Sequence, residues 1–139
     1  MRLTAEEARE RFAQARIARL ATVAPDGRPH LVPVTFAVSG DRIVSAVDSK
    51  PKSTVNLRRL ANIAVNPLVT LLADYYDEDW SRLWWARADG EAVIVADPVS
   101  MAVPVRLLAG RYPAYTENPP SGPVISIQVT AWSGWSALS

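Results

Sequence analysis

Residues 17–47 read IARLATVAPDGRPHLVPVTFAVSGDRIVSAV. Apolar and β-branched residues fall into three runs, divided by two turn signals, Pro25-Asp26-Gly27 and Ser39-Gly40-Asp41. Ile17–Ala24 reads as a first strand. Arg28–Val38 alternates as a second, with His30, Val32, Val34, Phe36 and Val38 on one side and Leu31, Pro33, Thr35 and Ala37 on the other. Arg42–Val47 is a third. Three strands on tight turns predict an antiparallel meander. Pro33 cannot donate to a sheet ladder, so it belongs at an edge or a bulge. A proline there also leaves backbone groups at Val32, Val34 and Thr35 open to a ligand.

Outward from this core, Thr4-Ala5-Glu6-Glu7 is a capping box, and Ala5, Ala8, Phe12 and Ala15 follow at helical spacing to about Arg16. Downstream, Ser53 or Thr54 opens a helix running to about Ala61, with Arg58 and Arg59 on its more exposed side. Asn62–Ala73 reads as a strand with a bulge at Asn66-Pro67. Arg82–Ala88 and Glu91–Ala96, joined by Asp89-Gly90, read as a hairpin. Asp97-Pro98 starts a helix that Pro104 should kink or split. Arg111–Pro123 reads as a loop, and Val124–Trp132 as a last strand. The expectation is one domain over 1–139, mainly β, with six or seven antiparallel strands forming a barrel and two or three short helices.

The composition narrows the chemistry. Net charge is +1, which offers no global field for nucleic acid or an anionic membrane. No cysteine is present, so thiolate nucleophiles and thiolate metal sites are excluded. With one histidine, His30, a multi-histidine metal site cannot be built from one chain, and no metal is expected. The six glycines are scattered singly, without a nucleotide fingerprint. No apolar run has the length of a signal peptide or a membrane span, and a cytoplasmic protein is expected. No catalytic residue declares itself. An enzyme built from this chain needs an organic cofactor to carry its chemistry.

Lys50 and Lys52 are the only two lysines among fifteen cations. With Ser49 and Ser53 they stand between the strand ending at Val47 and the helix beginning at Thr54. Backbone N–H groups and the helix dipole favour an anion there, and the ammonium and hydroxyl groups suit a phosphate. Five tryptophans form two groups, Trp80, Trp84 and Trp85, then Trp132 and Trp135. Adjacent residues on a strand face opposite ways, so Trp84 and Trp85 cannot both fill the barrel. One of them needs a partner subunit or a planar ligand.

The order of these elements resembles a known family: Ala18-Arg19-Leu20-Ala21-Thr22-Val23, Asp26-Gly27-Arg28-Pro29-His30, Val32-Pro33-Val34, then Lys50-Pro51-Lys52-Ser53 before Asn56-Leu57. It is similar to the split β-barrel flavin and deazaflavin oxidoreductases related to pyridoxamine 5'-phosphate oxidase. The stretch from Trp80 to Gly90, with Arg111-Tyr112-Pro113 and Gly134-Trp135, resembles its small actinobacterial branch dependent on coenzyme F420. The chain departs from that branch at Ala131, where a basic residue is expected, and at Pro104.

The resemblance implies an FMN-binding split-barrel fold and a homodimer with the cofactor at the interface. Lys50, Lys52, Ser49 and Ser53 would hold the phosphate, and Val32, Pro33, Val34 and Thr35 would lie along the ring. Arg58, with Arg59, would meet the acidic tail of F420, and Asn66 and Trp135 would approach the ring. The implied reaction is hydride transfer between F420 and a small conjugated or quinone-like electron acceptor. FMN in place of F420, or an F420-binding protein without catalysis, are the alternatives. His30, Tyr75 and Tyr76 are conceivable proton donors.

Overall fold

The structure is a computed structural model that describes residues 1–47 and 54–138. Its first helix, α1 (Ala5–Gln14), is closed by the expected capping box. Glu7 N–H donates to Thr4 Oγ1 at 3.1 Å, and Thr4 N–H donates to Glu7 Oε1 at 2.8 Å. Ala8 and Phe12 are fully buried on its inner face.

The strands are β1 (Ala18–Val23), β2 (Pro29–Val34), β3 (Ala37–Ser39) and β4 (Arg42–Ala46), then β5 (Leu68–Tyr75), β6 (Trp84–Val95) and β7 (Val124–Ser136). All pair antiparallel in one seven-stranded sheet ordered β2-β1-β5-β6-β7-β4-β3. Gly27 and Gly40, both at positive φ, make the β1–β2 and β3–β4 turns.

The expected meander is corrected at its centre. The second run breaks at Thr35 and Phe36, and its halves, β2 and β3, lie at opposite edges of the sheet. Two residues thus join the two edges, which requires the sheet to roll up. The edges themselves do not pair, so the barrel is split. Phe36, fully buried, fills the seam and packs on Phe12 with ring centroids 4.9 Å apart. Trp132 meets Phe12 edge-on at 5.5 Å.

Other boundaries also shift. Helix α2 (Thr54–Val65) runs past Ala61, because Asn62 and Ile63 bury their side chains under it as a helical pair. Asn66-Pro67 is the helix–strand joint rather than a bulge: Asn66 N–H completes the last turn on Asn62 C=O, and its Oδ1 receives Leu68 N–H. The hairpin expected at Asp89-Gly90 is one continuous strand, β6, with a register shift at that point. Gly90 is there because β7 passes too close for a side chain: a Cβ would lie 2.3 Å from the Gln128 carbonyl oxygen.

Helix α3 (Pro98–Arg111) stays a single helix with Pro104 inside it. Asp97 caps it, receiving Ser100 N–H at 2.9 Å. The loop expected after it carries a short helix, α4 (Pro113–Glu117).

Two apolar clusters result among the described residues. The larger fills the barrel and includes Phe12, Leu20, Phe36, Ile43, Leu71 and Ile127. The smaller lies under α3, where Met101 and Leu108 cover Ala37, Val44, Ala46 and Val124 on the outside of β3, β4 and β7. Helix α3 therefore covers one half of the outer sheet face.

Candidate functional site

Side chains alternate along each strand, so the other half of the outer face can be read from the register. One cross-strand row runs Pro33–Arg19–Leu72–Arg87–Ser133 over β2, β1, β5, β6 and β7. A second runs Leu31–Ala21–Thr70–Asp89–Ala131, and Trp85 pairs directly with Trp135. Leu31 is 66% exposed, Leu68 58% and Trp135 37%. Among the described residues no helix covers this half.

At the β5–β6–β7 end the face hollows into a cavity of about 460 Å³, lined by Leu72, Tyr75, Tyr76, Trp85, Arg87 and Trp135 among others. The Arg87 guanidinium lies over the Trp85 ring, 5.1 Å from its centroid, with its Nε 3.8 Å from Asp89 Oδ2. Tyr75 donates to Asp77 Oδ2 at 3.0 Å, and that bond holds the Tyr75 hydroxyl above the usual phenol range. Tyr76 Oη receives Trp80 Nε1–H at 3.3 Å. The cavity has the size and aromatic lining of a small-molecule site. Trp84, on the opposite side of β6 from Trp85, packs against the barrel core, so the tryptophan pair divides as its spacing requires.

The residues singled out from sequence fall into separate places. Lys50, Lys52, Ser49 and Ser53 lie outside the described residues. Val34 is buried in the barrel and Val32 half-buried against it, while Pro33 is exposed on the outer face of an edge strand. Thr35 is engaged within the fold: Ser45 Oγ donates to its carbonyl at 2.7 Å, and its Oγ1 pairs with Tyr115 Oη at 2.9 Å. Asn66 serves the helix–strand joint described above. Trp135 belongs to the aromatic cavity. Four strand spacings, roughly 19 Å along the sheet, separate its strand from that of Pro33. One chain thus presents Pro33 and Trp135 on the same face but not side by side.

Arg58 and Arg59 part company. Arg58 is exposed and lines a different cavity with Arg28, His30 and Asn62. Arg59, expected on the surface, is only 7% exposed. Burial lowers its pKa from the ordinary guanidinium range, and Tyr115 nearby acts in the opposite direction.

Sequence reasoning missed the support for the Thr35–Phe36 link. Arg111 donates to the carbonyls of Phe36 (2.9 Å) and Ala15, and its guanidinium sits 4.6 Å from the centroid of the Phe36 ring. Tyr112 Oη receives Phe36 N–H at 3.1 Å and lies 3.0 Å from the carbonyls of Arg16 and Phe36. These residues stood in a segment read as loop. Their partners are more than 70 positions away, beyond any local pattern.

No functionally curated protein matches the chain. Solved structures share its fold at low identity. The conserved hypothetical protein Rv2991 from Mycobacterium tuberculosis is 22% identical at a TM-score of 0.78, over 97% of this chain and 86% of that one. An FAD-binding protein from Mesorhizobium loti is 20% identical at 0.76, over 96% and 95%. The FAD-binding protein from Mycobacterium smegmatis is 18% identical at 0.66, over 97% and 96%. Residues 4–136 match the pyridoxamine 5'-phosphate oxidase family, and with nearly the whole length accounted for the chain belongs to that family.

Proposed function

We propose that the protein is an oxidoreductase that works as a homodimer and binds a tricyclic flavin-type cofactor between two copies of the bare outer sheet face. The observation that carries this reading is the aromatic cavity on that face, in a chain whose residues 4–136 match an oxidase family. Leu31, Leu68 and Trp135 stand exposed on this uncovered face, which suits an interaction surface. Pairing two such faces brings the Trp135 of one copy toward the Pro33 edge of the other, which a single chain does not do.

In this arrangement Trp85, Trp135 and Leu72 supply flat apolar surface for a ring, and Arg87 supplies a cation beside it. Lys50, Lys52, Ser49 and Ser53 hold the phosphate. The edge of β2 around Val32, Pro33, Val34 and Thr35 runs along the ring. When bound, the ring supplies the two-electron redox chemistry that no side chain here can perform. The protein positions the electron acceptor against it and excludes water. Arg58 and Arg28 add cationic surface for a negatively charged tail. Together with the resemblance of residues 80–90, that surface favours coenzyme F420, with hydride passed to a small conjugated or quinone-like acceptor. A second reading, FMN or FAD, draws support from the two neighbours named as FAD-binding proteins.

Titration of the purified chain with F420, FMN and FAD, followed by tryptophan quenching, tests both readings. Tight F420 binding with weak FMN and FAD binding is expected. The reverse order selects the flavin reading, and silence with all three removes the cofactor proposal. Lys52→Ala should weaken the tight ligand by roughly 1.5–3 kcal/mol, the range for a hydrogen bond to a charged group. Stopped-flow oxidation of the reduced cofactor by enones and quinones tests turnover. Absence of turnover with full affinity would leave a binding protein.

A further inference from the structure

Three side chains singled out from sequence are chemically able to give a proton to an acceptor, and the fold separates them. His30 lines the cavity of Arg58. Tyr75 and Tyr76 both line the aromatic cavity, where the chain leaves the end of β5. Their hydroxyl hydrogens are placed differently. The Tyr75 hydrogen is committed to Asp77 Oδ2 at 3.0 Å. Asp77 is itself held ionised: Asp79 N–H donates to its Oδ1 at 2.7 Å, and that bond, ahead of the one from Tyr75, keeps the carboxyl below its ordinary range. A phenol tied to such a carboxylate is a poor donor to anything else.

Tyr76 has the opposite arrangement. Its oxygen is an acceptor, receiving Trp80 Nε1–H at 3.3 Å. A phenol carries one hydrogen and an indole N–H can only donate, so the Tyr76 hydrogen is left to point elsewhere. Among the described residues no acceptor takes it. Trp80 is fixed in its turn. It opens a single 3₁₀ turn, Trp80–Arg82, capped by Asp79, whose Oδ1 receives Ser81 N–H at 3.1 Å and the Ser81 hydroxyl at 2.7 Å. Tyr76 is 61% exposed, so water can return a proton to it.

We infer that Tyr76 is the catalytic acid of this cavity, and that the acceptor reduced there carries a carbonyl conjugated to a carbon–carbon double bond. The assignment rests on the oxidoreductase reading above. A hydride from the reduced flavin-type cofactor adds to the β-carbon of the acceptor. The carbon–carbon π pair shifts, and the carbonyl oxygen becomes an enolate. The Tyr76 O–H bond then breaks toward that oxygen, giving the enol of the saturated ketone. Trp80 N–H stays on the phenolate oxygen, and solvent restores the proton. Arg87 lines the same cavity, and its charge favours the enolate.

Two readouts test this. The first needs no turnover. Cyclohexenone labelled with ¹³C at its carbonyl is titrated into the protein, with and without oxidised F420, FMN or FAD, and followed by NMR. A hydrogen bond to the oxygen moves the carbonyl resonance downfield. A saturable downfield shift is expected in the parent, with its loss in Tyr76→Phe. No saturable shift in the parent overturns the assignment, as does a shift kept in Tyr76→Phe. The second compares the reduction of cyclohexenone with that of a tetrazolium cation, which takes up a hydride without a proton. In Tyr76→Phe the enone rate should fall roughly hundredfold relative to the tetrazolium rate, the low end for general acid catalysis. An equal fall with both acceptors marks a structural role and overturns the assignment alone. A parent that reduces neither acceptor with any of the three cofactors overturns the oxidoreductase reading, and the assignment with it. The exposed position of Tyr76 predicts a variant that folds as the parent does, which thermal unfolding checks.

Discussion

Replacing Gly90 by alanine tests whether β6 passes straight through Asp89-Gly90. A Cβ built on Gly90 lies 2.3 Å from the Gln128 carbonyl oxygen, 3.1 Å from the Gln128 carbonyl carbon and 3.0 Å from Ile127 Cγ2. Two of these three atoms are backbone, and β7 is held on its far side by β4, where Gln128 pairs with Arg42. The strand cannot retreat without breaking that ladder. Overpacking costs about 1–3 kcal/mol where side chains can yield. Here the obstacle is backbone, so about 3 kcal/mol is the appropriate figure. A chain of this length unfolds with an entropy of about 0.3 kcal/mol/K, which converts the loss to a fall in Tm of about 10 °C. Differential scanning calorimetry reads it directly. Gly110→Ala is the control. A Cβ there meets nothing within 4 Å, and the site is in α3, so it should gain about 0.5–1 kcal/mol. A Gly90→Ala variant melting within about 2 °C of the parent would refute the close approach.

Arg111→Met removes the charged bonds to Phe36 and Ala15 and should cost roughly 3 kcal/mol in urea unfolding. Arg111→Lys should restore little of it, because one ammonium cannot reproduce the planar fork. The Asp97 cap carries a pH signature. Ser100 N–H holds the Asp97 carboxyl below its ordinary range in the folded chain, so its stabilisation is complete above the unfolded carboxyl pKa and is lost as pH falls through the lowered folded value. The Tm gap between the parent and Asp97→Ala should therefore close on acidification; a gap constant down to low pH would contradict the cap. Leu31→Glu places a charge on the bare face at an exposed position, so the fold should survive while a dimer through that face weakens by at least tenfold. Light scattering against concentration checks it, and an unaltered dimer would move the interface elsewhere.

Much of the fold was readable locally. Thr4 and Glu7 announce a helix start because the capping box needs only neighbours. Leu31 and Pro33 face out while Val34 faces in, because a strand alternates whatever it pairs with. Gly27 and Gly40 mark turns because each adopts a positive φ. Gly90 misled for a related reason. Glycine serves both a turn and a close approach of two backbones, and Asp89-Gly90 reads the same in either case. Arg59 was placed on the surface because a guanidinium is normally solvated, whereas helix α2 turns this one inward.

The candidate sites divide along the same line. The apolar alternation, the turns, the lone histidine and the family likeness belong to the sequence, since each rests on neighbouring residues or on their order. The tertiary structure alone decided that β2 and β3 stand at opposite edges, and that Trp85 faces Trp135. It alone placed Arg28, His30, Arg58 and Asn62 around one cavity. Strand order and register depend on which distant segments pair, and side-chain period is blind to that choice. Residues far apart in the chain become a site only once the sheet has rolled.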